Sequence, residues 1–309
     1  MLSRIAESLF WVGRYIERAD DTARILEVHL QLLLEDPWIS EDLACRSLLA
    51  VMGAPPPPVG SAVTPQDVLS TLAYDRLNPG SIAGALDAAR ENARRARETI
   101  STELWECLNK TRNELPTAIT SRTSPDFFSW VQEKSAMATG ITDSATARDQ
   151  VWTFLVLGRS IERADMTARL VATRAVAGSS GPSWTTLLRS CGAHEAFLRA
   201  YRGSASDALA AEFLLLDPLF PRSVVFALKQ AEDCLVQLGE GNERSSNESA
   251  VRILGRVRSG LEFRPVGQLL AHLPDEMEDV QRACSSASDA VRLRYFPTGA
   301  HDDWVGERL

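Results

Sequence analysis

Long apolar runs are missing from this sequence. No stretch approaches the roughly 18–20 residues that cross a bilayer, so no membrane role is expected. The first residues, Met1-Leu2-Ser3-Arg4-Ile5-Ala6-Glu7, already hold an acid, and Arg14, Glu17 and Arg18 follow, so no secretory leader is expected. Cysteine is sparse. Cys45, Cys107, Cys191, Cys234 and Cys284 are odd in number and never in C-x-x-C spacing, which excludes a disulfide framework and points to reduced core thiols in a cytoplasmic protein. The histidines (His29, His194, His272, His301) are scattered, with no H-E-x-x-H spacing, so no metal site is expected. Positive charge is in deficit. Lys and Arg total 33 against 41 Asp and Glu, a net charge of -8, which argues against nucleic-acid binding. The sequence has no Walker A, no G-x-G-x-x-G and no G-x-S-x-G, so no cofactor is expected in this chain. Sustained apolar–polar alternation is also absent, which removes half-buried strands.

What is there has a period of 3.6. Ile5, Leu9, Val12, Ile16, Ala19, Ala23, Leu26, Leu30 and Leu33 share one face of a helix that runs from about Ser3 to Glu35 and stops before Pro37. Phe154, Leu157, Ile161, Ala164, Ala168 and Val171 do the same in a helix placed over 143–177, closed by Gly178-Ser179-Ser180-Gly181-Pro182. Further helices are expected over 40–52, from Pro65, and over 80–100, from Ser101, and over 127–139, 183–201, 206–215, 222–238, 247–260 and 267–295. The predicted fold is all-α, a single multi-helix domain over 1–309. The Pro-rich segment 53–63 reads as a stiff connecting loop with polyproline character. Residues 239–246 read as a loop and 297–309 as a flexible tail.

One pattern occurs twice. Gly13-Arg14-Tyr15-Ile16-Glu17-Arg18-Ala19-Asp20-Asp21-Thr22-Ala23-Arg24 recurs as Gly158-Arg159-Ser160-Ile161-Glu162-Arg163-Ala164-Asp165-Met166-Thr167-Ala168-Arg169, identical at ten of twelve positions and 145 residues on. The repeat, 2–35 and 143–177, predicts two related halves around a pseudo-twofold axis. Charges recur as well as the apolar skeleton. At 100° per residue, Glu17, Arg18, Asp21 and Arg24 fall within about 80° of Arg14. Glu7, Phe10 and Trp11 join that stripe. Trp152, Leu155, Val156 and Met166 accompany Arg159, Glu162, Arg163 and Arg169. Bulky apolar residues interleaved with charge imply burial on both sides, and buried charges must be paired. Arg14 and Glu17 are therefore expected near Glu162 and Arg159. Two readings stand: a paired Arg–Glu network that fixes helix register, or a pocket. In a pocket the arginine forks would hold a carboxylate or phosphate, and Glu17 or Glu162 would hold or deprotonate an amine.

Two other segments could add to such a site. Arg90, Glu91 and Asn92 form a second charged element, ahead of Leu104-Trp105-Glu106 and Asn109. Pro221 fits the first turn of a helix, which would put Arg222 and Ser223 beside free amides that favour an anion.

Taken together, Leu2 to Ala19, Ala89 to Ala93, Leu104 to Asn109, Gly158 to Arg169 and Phe213 to Ser223 resemble the bacterial Alpha-E family, an all-helical family marked by glutamates. The resemblance runs from residue 2 to beyond 220. It implies company with circularly permuted ATP-grasp ligases, and often with transglutaminase-like proteins. The expected role is thus an accessory subunit in an amide-forming pathway, binding a small acidic or peptide substrate in an Arg/Glu-lined cleft. ATP and Mg would belong to the partner. An enzyme in its own right, amidotransferase-like or hydrolytic, and a structural scaffold are the alternatives, and a homo-oligomer stays open.

Overall fold

The computed structural model describes residues 1–35, 40–58, 60–116, 120, 122–177, 182–202, 206–239 and 249–297. Among them there is no strand. The helices are α1 (Ser3–Glu35), α2 (Glu41–Val51), α3 (Pro65–Val68) continued by a π-turn segment (Leu69–Tyr74), α4 (Ile82–Arg95), α5 (Thr102–Asn113), α6 (Ser124–Ala145), α7 (Gln150–Ala177), α8 (Trp184–Ser190), α9 (His194–Ala200), α10 (Asp207–Leu216), α11 (Val224–Gln237), α12 (Ala250–Glu262), α13 (Val266–Ala271) and α14 (Leu273–Tyr295). Residues 178–181 of the 178–182 terminator, the 239–246 loop past Gly239 and the tail beyond 297 lie outside the described residues.

The two copies of the repeat are the central pair, α1 against α7. Their predicted apolar faces are buried: Leu9, Val12, Ala19 and Ala23 on one, Phe154, Leu157, Ile161, Ala164, Ala168 and Val171 on the other. The helices run parallel, since Gly13 meets Leu155 and Arg159 while, further along, Asp21 shares a void with Met166 and Thr167. The crossing is set by two glycines. A Cβ on Gly13 would run into the backbone carbonyl of Leu155, and one on Gly158 into that of Phe10. Helices α4 and α6 pack on α1, and α11 and α14 pack on α7.

Several expected helices are shorter than their periodicity suggests. The 143–177 helix is two. It breaks between Ala145 and Gln150, where Asp149 accepts the Val151 amide at 2.8 Å and restarts the chain, leaving Asp143 on the end of α6. The 183–201 helix breaks at Gly192, whose φ of 60° belongs to the left-handed region that glycine enters without a Cβ penalty. The 267–295 helix divides at His272, ahead of Pro274, which sits in the first turn of α14. Helix α4 starts after Ser81 and ends at Arg95 rather than near Ile100. Helix α6 is longer than expected at both ends.

Candidate functional site

Parallel helices with a constant offset place positions 17 and 18 of α1 opposite 162 and 163 of α7. A glutamate followed by an arginine on each then cross-pairs. Arg18 grips Glu162 with two bonds, Nε to Oε1 at 2.6 Å and Nη2 to Oε2 at 3.0 Å. Arg163 grips Glu17 in the same way, at 2.6 and 2.8 Å. Both carboxylates are buried, at 2% and 1% exposure. Two-pronged pairing of this kind orients as well as attracts.

Each pair takes a further arginine. On the Glu162 side it is Arg14, donating from Nε to Oε2 at 2.6 Å and from Nη1 to Ser288 on α14 at 3.0 Å. On the Glu17 side it is Arg222, from the segment before α11, which donates to Glu17 at 2.9 Å and also to Asp20 and Asp21. Asp20 and Asp165, corresponding residues, pair with Arg24 and Arg169 on their own helices at 3.2 and 2.8 Å. Glu17, Asp20 and Asp21 lie close enough to share one cation, and the Arg222 guanidinium fills that place.

The electrostatics follow from burial set against pairing. Desolvation alone would raise the Glu17 and Glu162 carboxyls. Arg163 and Arg222 outweigh it for Glu17, Arg14 and Arg18 for Glu162, and both are held down at about 2. Asp21 goes the other way. Burial, helped by Glu17 and Asp20, exceeds the pull of Arg222 and lifts it to about 8, and its Oδ2 is buried without a partner. Asp165 is also raised, chiefly by burial.

A second recurrence supports the clasp. Asp75-Arg76-Leu77-Asn78-Pro79-Gly80-Ser81 and Asp217-Pro218-Leu219-Phe220-Pro221-Arg222-Ser223 share Asp-x-Leu-x-Pro-x-Ser. In each, the aspartate accepts the leucine amide, at 3.0 and 2.8 Å. The serine hydroxyl donates to the aspartate carbonyl at 2.5 Å and caps the next helix, α4 or α11. The proline carbonyl accepts from the clasp, Pro79 from Arg18 at 3.3 Å and Pro221 from Arg163 at 3.4 Å. The signal was legible as a shared pattern 142 positions apart, but the leucine is too exposed and the segment too short to show in a periodicity plot.

The predicted site residues therefore separate. Arg14, Glu17, Arg18, Asp21, Glu162, Arg163 and Arg222 come together. Arg159, whose charge helps to hold the Glu17 carboxyl down, makes no ion pair with it. Asp143, brought near by the break before α7, takes Arg159 at 3.3 Å. Ser223 is not beside free amides, because its own hydroxyl accepts the Phe226 amide at 3.1 Å, and Arg222 turns inward to the carboxylates. Arg90 lies over Trp105 at 5.3 Å and donates to Asn109, and Glu91 pairs with Arg94. Neither lines the two grooves beside the clasp. Glu17 and Glu162 leave little lone-pair capacity for a substrate amine, and a carboxyl held at about 2 is a poor proton acceptor near neutrality.

Two grooves of about 300 Å³ each flank α1. One, against α14, is lined by Phe10, Trp11, Arg14, Arg18, Asp165 and Arg169, with Ser288, Asp289, Arg292 and Phe296 opposite. The other, against α4, is lined by Arg4, Glu7, Ser8, Trp11, Tyr15, Asn92 and Arg95. The α14 wall carries no motif that sequence reading could have found.

Residues 1–296 match the model of one family, described as a predicted alpha-helical domain with a conserved ER motif. The chain belongs to the Alpha-E family. In this Alpha-E chain a Glu-Arg pair stands in each copy of the repeat, Glu17-Arg18 and Glu162-Arg163, and the two pairs make the clasp. Uncharacterized proteins of Mycobacterium bovis and Mycobacterium tuberculosis are 26% identical over 336 aligned positions, covering 97% of this chain. The chain spans 38% of the length of those curated relatives. No solved structure matches it. Among the described residues no helix is long and apolar enough to cross a membrane.

Proposed function

We propose that this chain is a cytoplasmic accessory module of an ATP-grasp-dependent amide-forming pathway, and that it holds the carboxylate of a small acidic or peptide substrate in the groove between α1, α7 and α14. The observation that carries the binding role is the division of labour around Glu162. The carboxylate fixes Arg14 and Arg18 from behind, and Arg169, paired with Asp165, and Arg292, paired with Asp289 at 3.2 Å, border the same groove of about 300 Å³, so that its lining holds four arginines against two aspartates. Fixed arginine forks suit planar anions because the ordering is done before the ligand arrives. The accessory role is supported by the longer relatives, in which a module of this kind makes up about two fifths of the chain. The five free cysteines suit a reducing compartment. ATP and Mg would be bound by the ligase, not here.

The test pairs the purified chain with a co-expressed ATP-grasp ligase. Amide product is expected only with both present. Arg292→Ala, at an exposed position, should lower product about tenfold with no change in melting temperature. Separately, an N-acetylated triglutamate should bind the wild-type chain and bind Arg292→Ala more weakly. ATP hydrolysis and product formation by this chain alone would instead make it an enzyme in its own right.

A further inference from the structure

The clasp glutamates, Glu17 and Glu162, are spent on arginines. The charges of the groove against α4 are not spent in this way. Among the described residues neither the Glu7 carboxylate nor the Arg4 guanidinium has an ion-pair partner. Both line that groove, with the Asn92 carboxamide, whose amide donates to the Ala88 carbonyl at 2.9 Å. Its aromatic wall is Trp11 stacked on Tyr15 at 5.2 Å. Trp11 also lines the groove against α14, where the Arg14 guanidinium lies 5.3 Å from its ring. The two grooves thus share one wall.

Helix geometry fixes their spacing. Glu7 and Arg14 are seven residues apart on one continuous helix, which returns them to the same face about 10.5 Å apart along the axis. Trp11 stands between them. Three extended peptide residues span about 10–11 Å.

We infer that the two grooves are the two ends of one peptide site: a short acidic peptide lies along α1 over Trp11, with its carboxylate at Arg14, Arg18 and Arg292 and its free amino terminus at Glu7. This rests on the carboxylate groove proposed above and adds the ligand's length, direction and second charged end. Glu7 replaces Glu17 and Glu162 as the group that meets an amine. It is half-buried and faces the α4 groove, so an ammonium reaches it without opening the core.

Calorimetric titration with triglutamate and its N-acetylated form separates the parts. The free peptide is expected to bind wild-type chain about tenfold tighter than the acetylated one, as for a charge-assisted hydrogen bond at a partly exposed site. Glu7→Gln should erase that difference and leave the acetylated peptide's affinity unchanged. Arg292→Ala should weaken both peptides equally. If acetylation makes no difference in the wild type, or if Glu7→Gln weakens both peptides alike, the two-ended site is overturned while the carboxylate groove stands. If neither peptide binds below the millimolar range, the groove reading falls, and this inference with it.

Discussion

The two sides of the clasp start from nearly the same residues and end differently. On the Glu162 side, Arg14, Arg18 and Arg169 meet Glu162 and Asp165, and Met166 stands where the other copy has Asp21. On the Glu17 side, Arg24, Arg163 and Arg222 meet Glu17, Asp20 and Asp21. Each side brings three arginines to its carboxylates, and burial raises one aspartate on each, Asp21 and Asp165. The difference is access. Beside Asp21 the remaining void is about 10 Å³, no more than a water needs. Beside Arg14 and Arg18 it is about 300 Å³. One exchange in the proline loops contributes: Gly80 occupies the position that Arg222 holds in the other loop, so on the Glu162 side no arginine enters from there and Arg14 serves instead. The same ionic frame is a sealed lock on one side and the floor of a groove on the other.

The largest expected effect breaks that comparison open. Glu17→Gln strands Arg163 and removes one of the three carboxylates that hold Arg222, beside a void too small to let either reach water, and should cost about 3–5 kcal/mol, the usual penalty for breaking a buried pair. Glu162→Gln strands Arg14 and Arg18, which border the groove and can turn to water, so its cost should be about half as large. Denaturant titration of both variants measures this. Equal costs would show that the groove does not relieve the orphaned arginines.

Much of this frame was legible beforehand. Bulky residues on a charged stripe (Phe10 and Trp11 beside Arg14 and Glu17) required burial on both sides, and Arg14 does meet Glu162. Arg159 pairs with Asp143 rather than Glu17, and that partner depends on a helix break between Ala145 and Gln150 with neither proline nor glycine to mark it. Arg222 joins the site, but through the carboxylates rather than through a helix start, because Ser223 caps α11 and leaves Arg222 ahead of the helix, free to turn inward. The α14 wall was not legible at all. Ser288 and Arg292 are ordinary residues of an amphipathic helix until packing brings them against α1.

Asp21 gives a pH signature that its counterpart Met166 cannot, although Asp165 on that side is raised as well. Its carboxyl is lifted from an ordinary 3.8 to about 8, so between those values the folded chain keeps a proton that the unfolded chain has released. Its contribution is full below about pH 4, declines by up to about 1.4 kcal/mol per pH unit as pH rises toward 8, and is flat beyond. Glu17 and Glu162 act oppositely. Depressed from 4.5 to about 2, they stabilise the fold above pH 4.5 and stop doing so as pH falls through about 2. Asp21→Met copies the other side. Thermal melts from pH 5 to 9 should then lose the part of their alkaline decline that Asp21 supplies, leaving that of Asp165. An unchanged slope would mean that Asp21 is ionised in the fold.

The glycine crossing tests whether the two copies are held equally. Alanine in a helix is normally better than glycine by roughly 0.5–1 kcal/mol. At Gly13 and Gly158 the added methyl meets backbone that cannot yield, so each substitution should destabilise by about 1–3 kcal/mol. Gly140, in α6 with open space around it, should follow propensity and gain stability on substitution by alanine. A stabilising Gly158→Ala would show that α1 and α7 can separate without cost, and the clasp could not then be the fixed frame of a groove.

The smallest effect concerns the capping serines. Ser81 and Ser223 make the same two contacts, and an N-cap serine replaced by alanine costs about 1 kcal/mol. As stability elements the two should cost the same. Their neighbours differ, however. Pro79 is tied to Arg18, beside the groove, and Pro221 to Arg163, inside the lock. Loosening the first loop frees an arginine that lines the groove proposed to hold the ligand, and loosening the second disturbs only the interior. Ser81→Ala should therefore weaken binding of N-acetylated triglutamate more than Ser223→Ala does, at matched loss of stability. Equal weakening would mean that the groove senses the whole frame rather than its own side of it.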